Sequence, residues 1–168
     1  MPDAICDTGP ILHLHEIGCL KALGSFAALR LPNLVVEELR AYGLDLPLLA
    51  SSNLQVNVTH LQETEWSKFL NEPEQPVIHA ADAQVLATAH VDEFHSVALT
   101  DDLALRRRLE QHGATVAGSI GVLVRSHSLG QLSHNELAQA IDAWFTSSSL
   151  HLSRGFRAYI QQLIADLK

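Results

Sequence analysis

The chain's 168 residues, 47% apolar and 18% charged, suit one domain with one hydrophobic core and exclude a disordered tail, a collagen-like fibre and a disulfide scaffold. Eleven basic against nineteen acidic side chains leave a net charge of −8, so net charge does not draw the molecule to nucleic acid; only a local basic patch would. Cys6 and Cys19 lack CxxC spacing and read as reduced core thiols. The N-terminus lacks a signal-peptide pattern and no apolar run approaches the roughly 18 residues of a membrane span, so the expected location is the cytosol, with no membrane partner.

Residues 4–6 form an apolar strand stopped by Asp7-Thr8-Gly9-Pro10, where proline suits the first turn of a helix. That helix is expected to pass through Leu14, Ile17 and Leu20 and to stop at Gly24. Residues 29–31 read as a brief strand, and Pro32 opens a helix over 33–42 that Gly43 ends. Residues 54–58 alternate as a half-buried edge strand does, and helical patterns follow at 64–70 and 76–91. A strand at 95–99, a helix at 102–112 and a short strand at 114–117 come next. The remainder is helical, over 119–128, 135–145 and 154–167, with a serine loop at 147–149. Strands alternating with helices predict an α/β fold with a largely parallel sheet and a helical C-terminal part. In such sheets ligands bind beyond the carboxyl ends of the strands, where Asp7 and the pair Asp101-Asp102 stand.

Four acids fall in awkward places. Glu38 has Leu34 and Val35 one turn before it and Ala41 and Tyr42 one turn after, which puts it on an apolar stripe. Asp82 repeats the anomaly with Val85, Leu86 and Ala89. A desolvated carboxylate is costly unless it is paired, hydrogen-bonded, protonated or bound to a cation. One reading makes Asp82 and Asp101 or Asp102 helix caps, Asp7 a turn closer and Glu38 the partner of a buried arginine. The other brings the acids into one crevice, where divalent cations relieve their repulsion; all-oxygen ligands favour Mg²⁺ or Mn²⁺, and the matching substrate is a phosphodiester.

These residues resemble a PIN-domain ribonuclease, a family that includes the toxin nucleases of toxin-antitoxin pairs. The resemblance covers residues 3–130 and rests on Ile-Cys-Asp7-Thr8, Leu-Pro-Asn-Leu-Val-Val-Glu-Glu38-Leu, Ala-Asp82-Ala-Gln-Val-Leu-Ala-Thr-Ala and Leu-Thr-Asp-Asp102, in that order. The segment 113–124, with Gly118-Ser119-Ile120-Gly121-Val122-Leu123, is similar to a subgroup found beside small antitoxins. The resemblance implies a three-layer α/β/α nuclease domain over 1–130, with a helical extension over 131–168 packed on it. It also implies that Asp7, Glu38, Asp82 and Asp102 are catalytic and hold Mg²⁺ or Mn²⁺, with Asp101 the alternate for the last. Thr8 and Thr100 would orient carboxylates or a phosphate oxygen. Gly9 stands where many members carry Ser or Asn, which removes a side-chain hydrogen bond from the site. An RNA substrate, a protein antitoxin and a homodimer are the implied partners.

Arg106, one turn after Asp102, is a candidate for positioning a phosphate, as are Arg107 and Arg108; a solvated helix face is the alternative. His13 and His15 point in different directions, no HExxH motif or Cys/His cluster occurs, and only His79, near Asp82, invites attention. There is no GxSxG elbow, P-loop or GxGxxG fingerprint. Asp7-Thr8-Gly9 also resembles the signature of retroviral-type aspartic proteases, but that fold is all-β. A non-catalytic RNA-binding or protein-interaction module is the remaining alternative. The apolar segment 14–23 suits either an interface or the core.

Overall fold

Ala4, Ile5 and Cys6 are all fully buried, as a strand covered on both faces must be, and they form the central strand of the sheet. The computed structural model describes residues 1–52, 54–149 and 153–166. In chain order the elements are β1 (Ala4–Cys6), α1 (Thr8–Glu16), a 3-10 helix (Leu20–Ser25), β2 (Leu29–Pro32), α2 (Asn33–Ala41), α3 (Leu46–Ser51), β3 (Val56–Thr59), α4 (Glu63–Trp66) and a second 3-10 helix (Ser67–Phe69). Then follow α5 (Ala80–Val91), β4 (Val97–Leu99), α6 (Leu103–Gln111), β5 (Val116–Ala117), α7 (Ser119–Ser128), α8 (His134–Ser147) and α9 (Arg154–Asp166). The strands pair in parallel in the order β3-β2-β1-β4-β5, which makes this an α/β fold with helices flanking a parallel sheet.

That order creates a topological switch point. From β1 the chain winds outward through β2 and β3, then returns to the other side of β1 for β4 and β5. Cys6 lies beside Leu99 in the register, and the Asp7 N–H donates to the Leu99 carbonyl at 2.9 Å. Asp7 and Thr100 therefore leave the sheet side by side, in the crevice where open α/β sheets bind ligands.

The helices fix what stands around that crevice. Almost every residue of α5 from Ala81 to Ala89 is buried, so this helix runs through the core. Its Gln84 side-chain oxygen accepts the Leu34 N–H at 3.0 Å and so caps α2, whose N-cap residue is a proline without a capping side chain. The cap ties the helix of Glu38 to that of Asp82. α8 buries Leu137, Ala140, Ile141 and Trp144 and packs on α7, while α9 packs on α8 and buries Ile160 and Ile164.

Several boundaries differ from expectation for identifiable reasons. The first helix ends at Glu16, because Gly18 adopts φ 69° and turns the chain, and the expected passage through Leu20 to Gly24 is the 3-10 helix instead. The segment 14–23 is core, with Leu14, Leu20, Ala22 and Leu23 buried. The helix expected from residue 76 begins at Ala80. The unforeseen α3 starts at Asp45, whose side chain accepts the Leu48 N–H at 3.0 Å. Residue 167, the expected end of the last helix, lies outside the described residues. Cys6 is buried and Cys19 half-buried, both as free thiols, and among the described residues no helix is long and apolar enough to cross a membrane. The parallel α/β sheet excludes the all-β protease reading.

Arg108 neither meets solvent nor faces the crevice. Its side chain is 1% exposed and pairs with Glu72, and among the described residues its Nε and Nη1 find no acceptor. Removing the counter-charge of a buried cation costs about 3 kcal/mol, whereas replacing the cation by an apolar side chain of similar length is close to neutral. In urea unfolding, Glu72→Gln should thus lose about 3 kcal/mol and Arg108→Met less than about 1 kcal/mol.

Candidate functional site

Asp7 caps α1, its Oδ1 accepting the Thr8 N–H at 2.6 Å. Its Oδ2 accepts the Thr100 hydroxyl at 2.8 Å. The Thr8 hydroxyl donates to Glu38 Oε2 at 2.5 Å, and Thr100 Oγ1 accepts the Asp102 N–H at 3.0 Å. A continuous chain of hydrogen bonds therefore runs Glu38–Thr8–Asp7–Thr100–Asp102 and joins residues from α1, α2 and the end of β4. Thr8 and Thr100 are its two bridges, and both are buried. Asp82 joins through charge: it faces Asp7, Glu38 and Asp102 from the first turn of α5, where its Oδ2 accepts the His79 N–H at 2.8 Å.

The capping interpretation is realised in part. Asp7 and Asp102 are N-caps, Asp102 Oδ1 accepting the Leu105 N–H at 2.7 Å, and Asp82 bonds the N-cap residue of α5. Glu38 differs from both expectations: the buried stripe of α2 is Val35, Val36 and Leu39, leaving Glu38 exposed at its edge, and its partner is the Thr8 hydroxyl and not an arginine. Asp82 is half-buried and not a core residue.

Capping does not account for the electrostatics. Hydrogen bonds from N–H groups lower a carboxyl's pKa, yet burial, followed by the charge of Asp82 and, more weakly, Glu38, pushes Asp7 up to about 7 against the bonds from Thr100 and Thr8. Asp82 also rises, first through burial and then through Asp102 and Glu38, despite the His79 N–H. Among the described residues no lysine or arginine forms an ion pair with Asp7, Glu38, Asp82 or Asp102. A cavity of about 560 Å³ opens on this cluster, lined by Asp7, Thr8, His13, Glu38, Tyr42 and Ser149 among others; Asp82 and Asp102 lie outside its lining. Among the described residues no group of three or more His, Cys, Asp or Glu side chains stands as a ready metal-holding set. The acids supply hard oxygen donors and excess negative charge, the chemistry that Mg²⁺ and Mn²⁺ require, but in this arrangement their oxygens are held by threonines and backbone N–H groups.

Asp101 has a different environment. Its Oδ1 accepts the Ser119 N–H at 2.8 Å, and its Oδ2 meets the Ser119 hydroxyl at 2.5 Å and His13 Nδ1 at 2.8 Å. Gly118 is required there: a Cβ at that position would stand 2.7 Å from Asp101 Oδ1. Arg106 donates to the Thr100 carbonyl at 3.2 Å and lies 3.6 Å from Glu110; it lines a neighbouring apolar cleft together with Asp101 and not the acid cavity. Gly9 faces His13 and Asp101, so a serine here would meet that pair before it met the acid cluster. Sequence reasoning set His13 aside and gave Ser119 and Gln84 no role of their own within the motifs that contain them, because their partners lie 88, 18 and 50 residues away and no local pattern marks those pairings.

A parallel sheet with acids gathered at its switch point defines an α/β domain of the PIN type. Residues 3–165 match the family model DUF3368, described as a PIN domain, and the chain belongs to that family. Among solved structures it is similar to a PilT N-terminus domain protein of the hyperthermophilic archaeon Sulfolobus solfataricus P2, with a TM-score of 0.54 and 12% identity over 74% of this chain and 92% of that one, a likeness of fold. No curated protein matches the chain.

The raised pKa of Asp7 fixes a sign for stability. The folded protein keeps the Asp7 proton between 3.8 and about 7 while the unfolded chain has released it, so this contribution is complete below 3.8 and is lost as pH rises through about 7. In metal-free buffer at pH 8, Asp7→Asn should exceed the unmodified protein in stability by about 4 kcal/mol, and most of the gain should be gone near pH 4. Thermal or urea unfolding across that range measures it.

Proposed function

We propose that this chain is an endoribonuclease that hydrolyses RNA phosphodiesters with Mg²⁺ or Mn²⁺. The observation that carries the reading is the cluster of Asp7, Glu38, Asp82 and Asp102 at the sheet's switch point, coupled to one another and without a basic partner among the described residues. Membership of the PIN-domain family, broadly associated with ribonuclease activity, supports it.

In this reading the four acids hold the ion, and Thr8 and Thr100 fix the orientation of Asp7, Glu38 and the start of α6. A bound divalent ion supplies neutralisation of phosphate charge and acidification of water. Asp101 serves as a brace, because His13 and Ser119 occupy both of its oxygens. Arg106, fastened to the Thr100 carbonyl and close to Glu110, steadies the loop and offers a cation at its margin. The resemblance of segment 113–124 extends the proposal: the chain is the toxin of a toxin-antitoxin pair, restrained by a protein antitoxin and active as a homodimer.

Incubation with single-stranded and structured RNA should give products with 5′-phosphate and 3′-hydroxyl ends in Mn²⁺ or Mg²⁺ and none in EDTA. Asp82→Asn, folded by circular dichroism, should lose about a hundredfold in rate or more. RNA bound equally in EDTA and Mn²⁺ without cleavage would instead establish a non-catalytic module.

A further inference from the structure

The acid cavity has a second polar wall that the carboxylate chemistry leaves unused. His13, on α1, lines the same 560 Å³ space as Asp7, Thr8 and Glu38, and its side chain is 12% exposed. The ring is anchored at one nitrogen: Nδ1 lies 2.8 Å from Asp101 Oδ2, and Asp101 is itself held by the Ser119 N–H at Oδ1 and by the Ser119 hydroxyl at the same Oδ2. An ionised carboxylate only accepts, so the hydrogen of the neutral ring resides on Nδ1 and Nε2 presents a lone pair. Among the described residues Nε2 has no hydrogen-bond partner. Gly9 adds nothing over the ring edge, since even a Cβ there would come only to 3.6 Å from Cε1. Ser119 sits behind Asp101 and not at Nε2, so the three residues do not form a nucleophilic triad, in which the histidine stands between the other two.

An oriented acceptor in this place selects for a donor. The neighbouring Asp7 and Glu38 also present oxygens that accept, and a phosphate, an acceptor and an anion, matches neither them nor an imidazole lone pair. Of the groups a nucleic acid backbone carries, the ribose 2′-hydroxyl is a neutral donor, and it is the group by which proteins tell RNA from DNA. The geometry points to His13 as a substrate-contacting residue: Nε2 accepts a hydrogen bond from the 2′-hydroxyl of a nucleotide beside the scissile phosphate, and the Asp101–Ser119 brace sets the ring for it. A 2′-deoxy nucleotide leaves the acceptor of this largely buried ring unpaired, which converts one hydrogen bond into sugar selectivity. This rests on the nuclease reading and names the feature of the substrate that the site recognises.

The experiment compares cleavage, in Mn²⁺, of one RNA with copies that carry a single 2′-deoxy nucleotide at each position flanking the cut, using the unmodified protein, His13→Leu and His13→Gln. The unmodified protein should lose about tenfold in kcat/KM at one position. That penalty should fall to near unity in His13→Leu and survive in part in His13→Gln, whose side-chain oxygen still accepts. Indifference of the unmodified protein to every 2′-deoxy substitution would overturn the assignment, as would an undiminished penalty in a folded His13→Leu. Either result, obtained with metal-dependent cleavage present, leaves the nuclease reading standing. Failure of the folded, unmodified protein to cut any of these substrates in Mn²⁺ overturns both.

Discussion

Burial of carboxylates, added to their mutual repulsion, at the carboxyl end of β1 and β4 is the constraint on which the crevice depends. Four elements deliver the charges: the end of β1 brings Asp7, α2 brings Glu38, α5 brings Asp82 and the end of β4 brings Asp102. Nothing basic pairs with them among the described residues, and hydroxyls and backbone N–H groups hold them in place. Those donors do not offset the setting of Asp7: burial first, and then the charges of Asp82 and Glu38, push its carboxyl up against two hydrogen bonds that favour its ionised form. The sheet and the core helix α5 hold these acids together despite that cost.

Two hydrogen-bond networks grow from the same strand end and have opposite character. Thr100 belongs to the first, linking Asp7 to the start of α6. Asp101, the next residue, belongs to the second, in which His13 and Ser119 satisfy both carboxylate oxygens. The two consecutive residues just beyond β4 diverge: Thr100 turns to Asp7 and Asp101 to His13 of α1 and Ser119 of α7. The first network concentrates negative charge, while the second fixes a histidine ring. Gly118 allows this arrangement, because the Ser119 backbone approaches Asp101 too closely for any side chain at the preceding position.

The alternation of strands and helices was legible in the chain because period and punctuation are local: Pro10, Pro32 and Gly43 mark helix ends within a few residues of where the structure has them. Asp7 and Asp102 were legible for the same reason, as acids directly after apolar strands. Glu38 was less so. Helical spacing identifies a stripe but not its edges, and the buried stripe of α2 is shifted enough to leave Glu38 outside it. Arg108 reversed its expectation altogether, since a run of arginines gives no sign that one of them turns inward to meet Glu72 from the loop before α5. The early end of α1 followed from the φ of Gly18, which the apolar pattern continuing through Leu20 concealed.

The sequence by itself determined which residues are acidic, which are apolar and in what order they come, and this suffices for the class of fold, because apolar periodicity and helix punctuation act over a few residues at a time. Tertiary structure alone decided which acids share a hydrogen-bond chain, which one is satisfied elsewhere and which histidine faces the cavity. Those outcomes depend on strand order: placing β4 beside β1 sets residues 6 and 99 in register, and contacts across such a separation follow from packing geometry that no local pattern encodes.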